Sequence, residues 1–169
     1  LYDNVMNRYK YGGLDTPGLY LDETTLRTCY YHRRLFAQLA KELIKQGDHV
    51  RARKVLTYAE QAVPAYNVPE IYESGSFDIA TAYAALGEKT KAVTLFNHLI
   101  AESEDYINWA FSLGNGRTGM MQNDCLYKFW QWNAYNERMK EIDKESYEAS
   151  NRRFEEKYAL FTQIINNRN

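Results

Sequence analysis

Carboxylates are the first residues in this chain that could do chemistry. They gather at Asp22–Glu23, at Glu102, Glu104 and Asp105, and at Glu155–Glu156. Two acids held about 5–10 Å apart across a cleft can hydrolyse a glycosidic bond. Spacing along the chain does not establish such a separation, and helix capping or a solvated face explains each group. His32, His49 and His98 are scattered, with no HxxxH and no His–Cys ligand spacing, so no metal site is expected. Cys29 and His32, three apart, could touch on one helix, but no other signal supports a catalytic pair. Gly12, Gly13 and Gly18 form no phosphate loop, because no Gly-Lys-Ser/Thr follows and no strand precedes. No GxSxG occurs. The expectation is a chain with no catalytic set and no cofactor.

The basic residues Arg27, Arg33 and Arg34, then Arg51, Arg53 and Lys54, read as solvated surface or as clamps for carboxylate or phosphate. The net charge of −1 argues against nucleic acid as a partner. Aromatic residues are abundant: 15 Tyr, 7 Phe and 3 Trp. Tyrosine joins an apolar ring to a polar tip and suits half-buried faces and binding surfaces. "FWQW", Phe129–Trp132, places large rings on opposite helix faces, one for the core and the other available for an interface. Cys29 and Cys125 form no CxxC and are expected as buried thiols, a disulfide being open in an oxidising compartment.

The elements that carry these residues read as helices. "TPGL" forms a type II turn with Pro17 and Gly18 at its centre. Asp22 then caps a helix from Glu23 to Gln46, and Leu21 with Leu26 provides a hydrophobic staple. Thus the run "KYGGLDTPGLYLDETTLR" is expected to lead into a helix rather than to hold a substrate. A second helix runs to Pro64. Further helices are expected over Phe77–Leu86 and Thr90–Ala101, with a break at "LGNGRTG", Leu113–Gly119. Met121, Cys125, Phe129, Trp132 and Met139 mark one face of a long helix. Tyr147, Phe154, Tyr158, Phe161 and Ile165 mark a face of the last. No stretch reaches the ~20 apolar residues of a membrane helix, and no signal peptide is visible.

An offset of 40 residues aligns two segments. Leu39, Ala40, Leu43, Gly47, Ala52 and Leu56 meet Ile79, Ala80, Tyr83, Gly87, Ala92 and Phe96. With Phe36, Ala59 and Pro64, the first segment resembles a tetratricopeptide repeat (TPR): small residues where two helices cross, glycine at the turn, proline at the end. The second segment has Ser76, Leu99 and Glu104 at the corresponding outer positions. The expected fold is all-α, with TPR-like antiparallel helix hairpins in a right-handed superhelix. An irregular lead-in, 1–22, precedes repeats at 33–64 and 73–104, and a helical pair at 119–168 closes a single domain, 1–169. The concave face of such a stack suits an extended protein or peptide segment. The expected contacts are Arg53, Tyr83 and Asn97, with Tyr66 and Tyr72 at the rim.

A wider resemblance rests on Tyr11, Gly12, Tyr20, Leu21, Asp22, Glu23 and Arg27 within "RYKYGGLDTPGLYLDETTLR", followed by the first repeat. It is similar to the soluble C-terminal region of bacterial polytopic membrane proteins related to GT-C, protein O-mannosyltransferase-type glycosyltransferases. That resemblance implies a fragment at the extracytoplasmic, periplasmic face of a membrane-anchored parent, with any chemistry in the membrane part. It offers an alternative function, an accessory domain binding acceptor or glycan. A free-standing carbohydrate-active enzyme is the least favoured reading.

Overall fold

The computed structural model describes residues 1–167, so Arg168, the last residue of the expected closing pair, lies outside them. Among the described residues there is no strand. Seven α-helices occur among them: α1 Glu23–Lys45, α2 His49–Ala62, α3 Ser76–Ala85, α4 Lys89–Ser112, α5 Asn115–Met120, α6 Gln122–Ile142 and α7 Lys144–Asn166. The chain forms two compact units, Leu1–Leu95 and Phe96–Asn169, with the boundary inside α4. None of the described helices is long and apolar enough to cross a membrane.

In the first unit the Asp22 carboxylate starts α1. It accepts from the Thr24 and Thr25 amides at 2.9 and 3.1 Å and from the Thr25 hydroxyl at 2.6 Å. Those bonds hold the Asp22 carboxyl below the usual carboxylate range. The buried stripe of α1 contains Cys29, Arg33, Phe36, Leu39, Ala40 and Leu43, and the helix packs on α2 and α3.

The turns after α1 and α3 share one hydrogen-bond pattern. Gly47 has φ 76°; its N–H donates to the Ile44 carbonyl at 3.0 Å, and the Asp48 N–H donates to Leu43 at 2.9 Å. Forty residues on, Gly87 has φ 75°; its N–H donates to Ala84 at 3.0 Å, and the Glu88 N–H donates to Tyr83 at 2.9 Å. Both are Schellman motifs, which satisfy the last carbonyls of a helix and need a left-handed residue that glycine supplies without Cβ strain. Ala40, Ala52, Ala80 and Ala92 are all fully buried.

The stretches after the two turns differ from each other. α2 stops at Ala62 before Pro64, and a connector follows with a 3-10 turn at Tyr72–Ser74. Its last residue, Gly75, lies against α1: a Cβ there would meet the Arg34 Cγ at 2.6 Å and Cα at 3.1 Å. With φ at 85° as well, this position excludes other side chains on two counts. The helix expected over Thr90–Ala101 instead runs to Ser112, so α4 passes beyond residue 104, the expected end of the second repeat. Glu104 offers no proline stop, and its carboxylate pairs with Arg153 at 3.0 Å.

The lead-in is more ordered than its glycines suggest. Asn4–Arg8 forms a π-helical segment, with Val5 fully buried. The expected break at Leu113–Gly119 narrows to Leu113–Gly114, because α5 begins at Asn115.

In the second unit α6 packs on α7, and α5 also contacts α7. Cys125, Phe129, Trp132 and Met139 are buried as expected, and Met121 is half-buried. The α7 face agrees with expectation in part. Phe161 is buried, Tyr147, Phe154 and Ile165 are half-buried, and Tyr158, though exposed at one edge, lays its ring 5.1 Å from Phe129, while Ser150 and Ile164 are buried as well. Ser150 belongs to the core because its hydroxyl accepts from Trp132 Nε1 at 2.8 Å and donates to Asn136 Oδ1 at 2.6 Å. An apolar pattern does not register a buried serine. Phe129 meets Phe154 and Phe161 at ring distances of 5.6 and 5.4 Å.

Candidate ligand-binding surfaces

Arg33 is the best-coordinated charged side chain in the first unit, and it binds the protein itself. Buried on α1, its guanidinium donates to the carbonyls of Val63 at 2.9 Å, Val68 at 2.5 Å and Pro69 at 2.7 Å, and to the Ser74 hydroxyl at 2.9 Å. Burial pushes the guanidinium down to about 10, with Glu70 opposing the shift. It therefore stays charged at neutral pH. One cation thus satisfies three connector carbonyls that would otherwise be poorly solvated.

Of the other expected basic clamps all but Lys54 are likewise engaged among the described residues. Arg27 pairs with Glu23 at 2.6 Å, Arg51 with Asp48 at 2.5 Å, and Arg34 lies over the Tyr31 ring at 4.5 Å. Of the acids, Glu102 pairs with Lys128 at 2.9 Å, and Glu155 accepts from Asn151 at 2.8 Å. Cys29 and Cys125 are buried free thiols, each pushed up by burial.

The five expected contact residues fall into separate settings. Arg53 donates to Glu88 at 3.0 Å and to the Leu86 carbonyl at 2.9 Å, which ties α2 to the second glycine turn. Tyr83 is buried rather than displayed, with a relative exposure of 4%. Its hydroxyl donates to Glu60, which also holds Lys91 at 3.0 Å, and Lys91 lies 4.8 Å from the Tyr83 ring centre. Burial first, then the bond to Glu60 and the surrounding carboxylates, raise the Tyr83 phenol well above its ordinary value. Tyr66 is exposed, but its hydroxyl donates to the Asp15 carbonyl at 2.6 Å. Tyr72 is half-buried and tilts against Phe77 at 5.7 Å. Asn97 is exposed on α4 and belongs to the second unit. In "FWQW", Phe129 and Trp132 are core, while Trp130 is half-exposed and stacked on Tyr127 at 5.7 Å.

Two concavities in the first unit were not legible as such. The first is a cavity of about 140 Å³ where α2, α3, α4 and the connector converge. Leu56, Ala59, Ile79 and Leu95 make it mainly apolar, and Arg33, Glu60 and Glu70 bring charge to its lining. It lies beside the connector between α2 and α3.

The second is a cleft of about 360 Å³ between the lead-in and the C-terminal end of α2. The connector fixes its shape from one side. The Asn67 amide donates to the carbonyls of Leu14 at 2.7 Å and Thr16 at 2.6 Å, beside the Tyr66 bond to Asp15. Its aromatic wall is braced from within. Tyr11 donates to the Val5 carbonyl at 2.8 Å, and its ring meets His32, Phe36 and Tyr58 at 5.3, 5.3 and 6.0 Å. Burial, with smaller contributions from Tyr58 and Tyr9, pushes the Tyr11 phenol up to about 12. The signals were the tyrosines of "NRYKYGG" and the asparagine of "AYNVP". Neither has meaning until long-range contacts bring residues 5–16 to residues 58–67.

No family model, curated protein or solved structure matches this chain.

Proposed function

We propose that the chain is a non-catalytic, TPR-like helical-repeat module that binds an extended protein segment. One observation carries this reading: two helix hairpins with the same Schellman turn recur 40 residues apart, each flanked by fully buried alanines. Such hairpins stack into a right-handed superhelix and present a concave face. The resemblance of the lead-in supports a place at the extracytoplasmic face of a larger, membrane-anchored protein.

The geometry shifts the proposed contacts away from Tyr83. With its ring buried and its hydroxyl given to Glu60, it supports the surface from below. The anchor is the cavity lined by Leu56, Ala59, Ile79 and Leu95, which matches one aliphatic side chain in size. Glu60 and Glu70 favour a basic residue beside that anchor. Arg53 and Tyr72 flank this region in the proposal.

A blocked peptide with leucine followed by lysine tests it, against the same peptide with aspartate for leucine. The leucine peptide is expected to shift the methyl resonances of Leu56, Ile79 and Leu95, and the aspartate peptide to leave them unmoved. Glu60→Gln, which keeps an acceptor for Tyr83, should weaken binding about two- to fivefold, the range of an exposed ion pair. Unmoved methyls up to millimolar leucine peptide would remove the proposal.

A further inference from the structure

We infer that the cleft between the lead-in and α2 is a second binding site, built for a small zwitterion with an apolar side chain: a free amino acid or a dipeptide. This goes beyond peptide binding at the cavity and does not depend on it.

Four observations converge. The cleft, about 360 Å³, falls within the range of small-molecule sites. Tyr9, Tyr11 and Tyr58 line it. Tyr11 and Tyr58 are locked by ring contacts and by the Tyr11 bond to Val5, so that wall is formed before any ligand arrives. Tyr9 is 46% exposed, leaving ring surface to cover.

Lys10 and Asp15 line the same cleft, yet they do not pair with each other. Among the described residues, neither the ammonium nor the carboxylate has any hydrogen bond or ion pair, and the Gln61 amide has none either. Several other charged side chains of the unit do find partners, Arg27 with Glu23, Arg51 with Asp48, Arg53 with Glu88 and Lys91 with Glu60, and Lys41 and Lys54, which have none among the described residues, do not line this cleft. Finally, the lead-in is tied down by Tyr66 and Asn67, which hold Asp15 and its neighbours by their backbone carbonyls and leave the Asp15 side chain uncommitted.

One uncommitted cation and one uncommitted anion make the cleft neutral overall. An anion or a cation alone would satisfy one group and face the other. A zwitterion satisfies both: its carboxylate accepts from Lys10 and its ammonium donates to Asp15. Gln61 supplies a donor and an acceptor for an intervening peptide group, and the tyrosine rings cover an apolar side chain.

The test uses the whole chain, with L-phenylalanine and glycyl-phenylalanine followed by amide resonances of residues 6–15 and 58–62. Phenethylamine, which lacks the carboxylate, and 3-phenylpropionate, which lacks the ammonium, are the controls. Both zwitterions should bind, and each control should bind at least about tenfold more weakly, as expected for loss of a charge-assisted contact. Lys10→Gln should erase the preference over phenethylamine and keep that over 3-phenylpropionate. Asp15→Asn should do the reverse. Both side chains are on the surface, so each variant should keep the wild-type helical content. Equal binding of all four probes, binding of none at 50-fold excess (about the usual limit of such titrations), or binding of a neutral disaccharide such as cellobiose in their place overturns the inference.

Discussion

α2 and α4 begin alike and end differently. Each follows a glycine turn with the same hydrogen bonds, and each buries an alanine in its first turn. α2 closes after 14 residues, ahead of Pro64, whereas α4 continues for 24 with Glu104 in the corresponding place. The short helix hands on to a connector whose carbonyls need partners, and Arg33 supplies them from α1. The long helix satisfies its own backbone and spends its side chains on neighbours, Glu104 on Arg153 and Asn108 on Lys157. Interrupting a helix thus creates a debt of backbone hydrogen bonds, and one buried cation settles it.

The largest effect should come from removing that cation. Arg33→Met keeps the apolar stem but leaves the Val63, Val68 and Pro69 carbonyls and the Ser74 hydroxyl without their donor. The loss should be about 3–5 kcal/mol, from several buried acceptors left unmade. Urea unfolding measures it, and amide exchange should show residues 63–75 opening before the rest of α2. A loss under 1 kcal/mol, the order of an exposed ion pair, would mean that the connector holds itself. Next in size is Glu104→Pro, which imposes on α4 the residue type that follows α2. Residue 104 is interior to α4, so proline costs about 3 kcal/mol and the Arg153 pair is lost with it. Circular dichroism should lose helix. An unchanged spectrum would show that residues 104–112 gain nothing from continuing α4.

Much of the framework was legible because it is local. Asp22 as a cap, Gly47 and Gly87 as turns, and the buried alanines follow from side-chain size and from φ, which neighbours in sequence decide. The overrun of α4 was readable in part, since the absent proline had already set Glu104 apart. Arg33 was not. Its sequence neighbours Arg27 and Arg34 make it look like a surface charge, and its acceptors lie 30–41 residues away. The candidate sites fared similarly. Tyr83 falls at a position of the expected repeat open to either core or groove, and only Glu60, 23 residues earlier, decides which group holds its hydroxyl. The cleft depends on Asn67 reaching Leu14 and Thr16, more than 50 positions apart. Helix patterns encode which face is buried, but not which loop will lie across it.

The smallest effect sharpens the comparison most. Either Pro64 stops α2, or the contacts of the connector do. Pro64 lacks an N–H and fixes its own φ, but its carbonyl also accepts from Asn67 at 3.2 Å and Val68 at 3.0 Å, so the chain turns there anyway. Arg33 holds Val63 before the proline and Val68 and Pro69 after it, and Asn67 ties the same stretch to the lead-in. With the path fixed by those bonds, Pro64→Ala should change little in the folded state and mainly loosen the unfolded chain. The expected cost is about 0.4–1 kcal/mol. Carbon chemical shifts of residues 63–68 should remain non-helical. In the double variant with Arg33→Met the same shifts should turn helical, because neither the proline nor the guanidinium then opposes continuation of α2. If Pro64→Ala alone extends α2, the proline is the stop, and the arginine only fills the space the proline opened.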